Sequence, residues 1–213
     1  MYKRDIQLGV DIEKLLIAKK ISTPYIEANM NLDGLTHLFE SALMMLGMDL
    51  GDDSINKTPY RLKKLWKEIF YGLKPENFPS CTTIENKMGY DGMLCINNIK
   101  VRSMCEHHFV PFIGTARIAY IPEGKIMGLS KFNRIVDYFS RRPQVQERLT
   151  LQIFESLKYI LGTPSVAVVI KAQHMCVHLR GVQDESSYTV TSKIGGLFQK
   201  GEVRQEFFKL VEK

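Results

Sequence analysis

Long apolar runs are absent from this sequence of 213 residues. No stretch approaches the roughly 18 consecutive apolar residues that a membrane-spanning helix needs. The first 20 residues carry charged side chains throughout, whereas a secretion signal needs an uninterrupted apolar segment. These absences predict a cytoplasmic protein with no membrane partner.

Cysteine is also scarce, and neither an internal repeat nor a low-complexity segment is present. The four cysteines are Cys81, Cys95, Cys105 and Cys176. Without a secretion signal, cysteines serve as free thiols or metal ligands more often than as a disulfide framework. We expect Cys81 and Cys95 to be small buried side chains.

The composition is otherwise that of an ordinary soluble globular protein, with 45% hydrophobic and 24% charged residues. The length fits one domain, or one domain with an appendage. A net charge of +6 indicates an anionic partner. Because this excess is mild for the length, it suits a phosphorylated small molecule as well as nucleic acid.

Two helices are predicted in the first third of the chain. Residues 31–49 repeat apolar side chains at helical spacing, and we expect this stripe to pack into the core: Leu32, Leu35, Leu38, Phe39, Ala42, Leu43 and Leu46. Within 52–73, Thr58 is the expected N-cap and Pro59 the first helical residue. The expected buried face of this second helix comprises Leu62, Leu65, Trp66, Ile69 and Phe70.

Strands and helices alternate after Pro75. Strands are predicted at 93–101, 109–122, 165–179 and 186–192, from β-branched and aromatic residues bounded by Gly and Pro. Helices are predicted at 128–142 with Ser130 as cap, at 145–162 after Pro143 and up to Gly162, and at 202–213. This order indicates an α+β fold, an antiparallel sheet with helices on one face. It divides the chain into a helical region, 1–75, and an α+β domain, 76–213.

Cysteine and histidine gather at two places, SMCEHHFVPF (103–112) and QHMCVHLRG (173–181). Zinc takes sulfur and nitrogen ligands in a tetrahedron, and a catalytic site leaves one position open. Cys105 and His108 can share a metal only if the chain turns between them. His174 and Cys176 face the same way on a predicted strand. We propose Cys105, His108 and Cys176 as the ligands.

Two histidines then remain free beside the metal, His107 and His174. An imidazole near a metal-activated water can transfer protons, because histidine titrates close to neutral pH. Spacing alone does not choose between His107 and His108 as ligand, or between His174 and His178 as the free imidazole. Packed cysteines and a redox pair also remain open on spacing alone.

Cationic residues cluster near predicted helix starts, where free amide groups and the helix dipole attract phosphate. They are Arg61, Lys63, Lys64, Lys131 and Arg134, and Arg180 follows the second cysteine cluster. Gln146 and Glu147 lie at another predicted helix start, and a glutamate can accept two hydrogen bonds from the edge of a guanine.

Together, five stretches resemble the GTP cyclohydrolase I family. They occur in one order and cover roughly residues 30–212: SMCEHHFVPF, GLSKFNRIV, RPQVQERLT, HMCVHLRG and TVTSKIGGLF. The resemblance implies that Cys105, His108 and Cys176 hold Zn²⁺. It further implies that His107 and His174 are catalytic and that Ser130 lies near the ribose. The implied triphosphate contacts are Lys131, Arg134 and Arg180, with Arg61 and Lys64 from a neighbouring subunit. The implied guanine contacts are Gln146 and Glu147, with Glu147 as the anchor. His178 is left without a role.

The resemblance also implies a reaction and an assembly. The reaction converts GTP and water to 7,8-dihydroneopterin triphosphate and formate, at the start of pterin biosynthesis. The implied fold is the tunnelling fold, in which antiparallel strands with paired helices assemble into a barrel. The implied assembly is a homodecamer of two pentamers with sites between subunits.

Three other interpretations are less well supported. Zinc nucleobase deaminases need H-x-E followed by P-C-x-x-C, and neither spacing occurs. A nitrile reductase of the same fold would use a cysteine nucleophile and NADPH, which the complete zinc set argues against. A basic nucleic-acid-binding module with a structural zinc usually closes the metal with four ligands, and no fourth one lies at a regular spacing. We therefore expect no nucleic-acid partner.

Overall fold

The computed structural model describes residues 2–25 and 32–211. The first helix, α1 (Ile6–Ala18), begins after Asp5, whose carboxylate accepts a hydrogen bond from the Leu8 amide. Ile12 and Leu16 of α1 are buried in the main core. This helix therefore packs with residues that follow position 75, and the predicted division at that residue stays a prediction.

Helices α2 (Leu35–Met45) and α3 (Thr58–Ile69) pack against each other. The prediction that the α2 stripe enters the core is wrong, because α2 has no buried residue and Leu38 and Leu46 are 65% and 77% exposed. The α3 face is only partly buried: Phe70 is enclosed, whereas Leu65 is 47% exposed. Thr58 is the first helical residue and Lys57 the N-cap, so the predicted cap is also wrong. The predicted helix start at Asn31 lies outside the described residues.

The main sheet has five strands in the order β5-β2-β3-β6-β7. Their bounds are β2 (Leu94–Cys105), β3 (Pro111–Tyr120), β5 (Pro143–Gln144), β6 (Val166–His174) and β7 (Thr189–Ile194). The longer strands pair antiparallel, and β5 runs parallel to β2. Strands β1 (Thr83–Glu85) and β4 (Lys125–Met127) form a separate pair. The α+β order of the prediction is confirmed.

Close packing of β3 on β6 depends on Gly114. A Cβ atom there would lie 2.0 Å from the Lys171 carbonyl oxygen. The register of the three strands pairs Ser103 of β2 with Phe112 of β3, and Phe112 with His174 of β6. The two Cys/His clusters are therefore brought to the same end of the sheet.

Helices cover both faces of the sheet. Helices α4 (Ser130–Ser140) and α5 (Gln146–Leu161) carry most of their buried residues into the main core. Helix α7 (Gly201–Val211) packs Phe207 against Ala119 and Ala167, whose side chains point to the opposite face. The expectation of helices on one face only is therefore wrong for α7. The last two residues of the predicted 202–213 helix lie outside the described chain.

Several predicted element ends shift in the structure. Helix α4 begins at Ser130 itself, after Leu129, with no side-chain cap. Pro143 lies in β5 rather than opening a helix, and α5 begins at Gln146. Gly162 ends α5 with a φ of 68°, as expected for a left-handed C-terminal position. In the chain from 2 to 25 and from 32 to 211, no helix has the length and apolarity to cross a membrane.

Candidate active site

The first Cys/His cluster forms a tight turn between β2 and β3. The Phe109 amide donates to the Cys105 carbonyl and the Cys105 amide to the Val110 carbonyl, both at 2.9 Å. Phe109 takes a φ of 52°, which reverses the chain sharply. Cys105 Sγ consequently lies 3.9 Å from Nδ1 of both His107 and His108. The turn that shared ligation requires is present.

Three residues bring possible ligand atoms together. The Sγ atoms of Cys105 and Cys176 and a ring nitrogen of His108 all lie within 4.8 Å of one another. A tetrahedral zinc, with sulfur at about 2.3 Å and nitrogen at about 2.0 Å, separates its ligands by roughly 3.5–3.8 Å. Small side-chain movements would bring the three atoms to that spacing. The donor set and its geometry therefore fit a zinc ion.

Cys176 reaches this group from a helical turn. Strand β6 ends at His174, and α6 (Met175–His178) follows directly. The expectation that His174 and Cys176 face the same way on one strand is therefore wrong, because the helical turn rotates Cys176 towards Cys105. Burial and the nearby Cys105 thiol raise the pKa of Cys176. A cation between the two sulfurs would favour their thiolate forms.

His174 is held on two sides. Its Nε2 lies 2.8 Å from Oε1 of Gln146, and its ring stacks on Phe112 at 4.8 Å with 12° between the planes. Burial lowers the pKa of His174. The nearby Glu147 carboxylate raises this pKa, and the nearby His178 lowers it further. Burial thus favours a neutral imidazole. Nε2 of His178 is buried and has no hydrogen-bond partner among the described residues.

The first turn of α5 supplies three neighbouring side chains. Gln146 is buried and Glu147 is exposed. Arg148 forms a two-pronged ion pair with Glu106, in which Nη2 lies 3.1 Å from Oε1. Glu106 Oε1 also lies 3.9 Å from Nε2 of His107. We call residues 105–110 the metal turn. The ion pair between Glu106 and Arg148 therefore links this turn to α5.

The sequence did not single out Glu106, Arg148 or Phe112. Glu106 and Arg148 are each adjacent to a predicted site residue, which is the one signal the sequence offers. Their pairing depends on how α5 lies against the sheet, and local spacing does not give that placement.

The predicted phosphate-binding residues are dispersed in a single chain. Arg180 Nη1 lies 3.1 Å from His108 Nε2, at the rim of the metal group. Ser130, Lys131 and Arg134 occupy the first turns of α4, where the Arg134 guanidinium lies 4.6 Å from the Tyr2 ring centroid. Arg61 and Lys64 are exposed on α3. Among the residues the structure describes, no hydrogen bond or ion pair links the α3 and α4 side chains to the metal group.

The two cysteines outside the group are partly buried, and burial raises the pKa of both. Cys81 reaches a pKa of about 12 and packs against the main core, while Cys95 packs against the α7 side of the sheet. Their expected role as small packed side chains is consistent with these positions.

Comparison with known proteins gives one consistent family. The model of the GTP cyclohydrolase I family matches residues 35–212. The GTP cyclohydrolase 1 of Aeromonas hydrophila is 54% identical over 164 residues, which are 76% of this chain and 75% of that protein. The GTP cyclohydrolase 1 of Haemophilus ducreyi is 46% identical over 208 residues, 95% of each chain.

A solved structure of archaeosine synthase QueF-Like in the apo form also aligns, with a TM-score of 0.42 and 18% identity. It covers 49% of this chain and 93% of that one. The assignment rests on the family match and the sequence relatives instead. The chain belongs to the GTP cyclohydrolase I family and has its α+β tunnelling fold.

Proposed function

We propose that the protein is a zinc-dependent GTP cyclohydrolase that converts GTP and water to 7,8-dihydroneopterin triphosphate and formate. One observation carries the proposal: Cys105, His108 and Cys176 gather three possible ligand atoms within 4.8 Å of one another. Family membership supports the same activity.

Cys105, His108 and Cys176 would hold the zinc ion. Three protein ligands leave one tetrahedral position for water or substrate, which is the pattern of a catalytic site. Zinc, when bound, supplies Lewis acidity that makes water nucleophilic near neutral pH. The hydrolysis opens the five-membered ring of guanine at C8 and then releases C8 as formate.

His174 and His107 are the proposed proton-transfer groups. His174 is half-buried and its neutral form is favoured, so it can accept a proton from water and return it to a ring nitrogen. His107 is exposed on the metal turn, beside Glu106. We assign it, with Ser130, to the opening and rearrangement of the ribose that precede closure of the pterin ring.

Glu147 is the proposed anchor for guanine. Its carboxylate is exposed at the start of α5 and close enough to His174 to influence that imidazole. An ionised carboxylate can accept hydrogen bonds from guanine N1–H and the 2-amino group. For Gln146 the guanine contact stays a prediction, and the main chain would have to make it, because the side-chain amide is engaged elsewhere.

The triphosphate would be bound by Arg180, Lys131 and Arg134, with Arg61 and Lys64 contributed by a neighbouring subunit. The dispersal of these cations in one chain is consistent with a site that a second subunit completes. Each would add charge-assisted hydrogen bonds to phosphate oxygens.

A homodecamer of two pentamers is the proposed assembly. Among the described residues, β7 pairs only with β6 and most of β2 pairs only with β3, so both edges of the sheet can accept another strand. The exposed apolar side chains of α2 offer a further contact surface. We expect no nucleic-acid partner, and a cytoplasmic location stays a prediction.

Incubation of the purified, zinc-supplied protein with GTP tests the activity. We expect formate release and, after mild oxidation, the fluorescence of a pterin. Chelation should abolish both signals, and added zinc should restore them. Absence of pterin from zinc-replete protein would contradict the proposed function.

A further inference from the structure

Gln146 is the first residue of α5, and its side chain is 2% exposed. Its Nε2 lies 3.1 Å from each of three oxygens: the Ile170 carbonyl, the Thr189 carbonyl and the Thr191 hydroxyl. Two of these are carbonyl oxygens, which can only accept. The amide nitrogen must therefore face β6 and β7.

The neighbouring hydroxyls agree with this orientation. Thr150 Oγ1 lies 2.9 Å from the Gln146 carbonyl, to which it must donate, and 2.7 Å from Thr191 Oγ1. Because Thr150 has one hydroxyl hydrogen, Thr191 donates its own hydrogen to Thr150 and can act towards Gln146 only as an acceptor, so the two amide hydrogens are shared among three oxygens. Reversing the amide would place Oε1 against two carbonyl oxygens and leave buried groups unpaired.

The amide orientation fixes the proton on His174. Oε1 of Gln146 has no hydrogen to donate, and it lies 2.8 Å from His174 Nε2. Nε2 must then carry the hydrogen, and in the neutral ring Nδ1 holds the lone pair. Stacking on Phe112 fixes the plane of the ring, so the direction of Nδ1 is fixed as well.

We propose that Gln146 is a positioning residue for His174: it holds the ring as the Nε2–H tautomer and leaves Nδ1 as the ring nitrogen available to the substrate. This inference rests on the proposed function. The resemblance to the family implied a guanine contact for Gln146. The structure instead assigns its side chain to the orientation of the imidazole.

The tautomer can be measured without turnover. Solid-state NMR of ¹⁵N-histidine-labelled, zinc-loaded wild type, with His174 assigned by comparison with His174→Asn, should give a protonated Nε2 and an unprotonated Nδ1. A protonated Nδ1 with a bare Nε2 would overturn the proposal, whatever the assay of activity gives.

Gln146→Met separates positioning from substrate binding. Methionine keeps the length of the side chain and removes the acceptor, so we expect mixed tautomers of His174. We expect kcat to fall by about 100-fold, within the range that a general acid–base group contributes, while KM for GTP stays within about twofold. A large rise in KM with kcat unchanged would show that the side chain binds substrate and would overturn the proposal.

Gln173→Met provides the matched control, because Gln173 is an exposed glutamine on the same strand as His174. It should leave the tautomer, kcat and KM unchanged. If Gln146→Met does not fold, the wild-type spectrum alone still decides. A wild type that forms no pterin would instead contradict the proposed function, while leaving the tautomer measurement valid.

Discussion

At the residue scale, three consecutive side chains at the start of α5 serve three parts of the site. Gln146 contacts His174, Glu147 is exposed where we propose that guanine binds, and Arg148 pairs with Glu106 of the metal turn. Because these residues share one helical turn, a shift of α5 would disturb the proposed proton transfer, the proposed guanine contact and the metal turn together.

Substitutions at the two ends of the β6–α6 junction should have different effects. Cys176→Ala should lose both zinc and turnover, because it removes a thiolate ligand. His174→Ala should keep zinc and lose turnover, because His174 lies outside the ligand group. Atomic absorption and the pterin assay measure the two quantities. Cys95→Ala is the control, and a fully loaded Cys176→Ala would refute the ligand assignment.

Glu147→Ala should weaken GTP binding by about 2 kcal/mol, since the polar edge of guanine would then be unpaired. This corresponds to roughly a 30-fold higher Kd. Calorimetry in a His174→Ala background measures binding without turnover. Glu202→Ala, an exposed carboxylate on α7, should bind GTP as the parent does. Unchanged affinity of the Glu147 variant would remove it from the guanine site.

At the element scale, the sequence predicts the elements that local chemistry determines. Helices α4 and α5, the helix end at Gly162 and the four longer strands are all found. The residue types of the metal group are predicted for the same reason, since sulfur and imidazole ligands are identifiable one by one.

The remaining features depend on contacts between elements. The apolar stripe of α2 predicts a covered helix, whereas the described part of the chain leaves Leu38 and Leu46 exposed. The sequence does not predict that β6 ends at His174, because a short apolar run is compatible with a strand and with a helical turn. The Gln146–His174 and Arg148–Glu106 pairs follow only from the placement of α5 on the sheet.

Helix α3 touches the metal turn through aromatic rings. Trp66, the single tryptophan, stacks on Phe109, with the ring centroids 5.4 Å apart and 21° between the planes. Phe109 directly follows His108 in the sequence. Removing zinc should therefore change the Trp66 fluorescence, and adding zinc back should restore it. Phe109→Leu should weaken this response because it removes the stacked ring. Constant emission during complete, measured loss of zinc would contradict the contact.

At the scale of the whole molecule, a single chain leaves apolar surface uncovered. Met44, Met45 and Leu46 at the end of α2 are 65%, 87% and 77% exposed. Contiguous apolar surface of this kind marks a protein–protein contact. The open sheet edges and the dispersed cations also support the proposed assembly with neighbouring subunits.

Charges placed on this surface should reduce the size of the assembly. We expect Met45→Asp with Leu46→Lys to form smaller particles than the wild type, for which we expect a decamer of 24.5 kDa chains. Light scattering after size-exclusion chromatography measures the mass. Met88→Asp is the matched control, since Met88 is 74% exposed but lies far along the chain from α2. A double variant with the wild-type mass would exclude α2 from the interface.

An anomalous difference map at the zinc absorption edge, from reduced and zinc-supplemented crystals, tests the central claim most directly. The account predicts one strong peak bonded to Cys105 Sγ, Cys176 Sγ and a His108 ring nitrogen, at about 2.3 Å from sulfur and about 2.0 Å from nitrogen. Occupied zinc elsewhere, with these three side chains pointing apart, would contradict it.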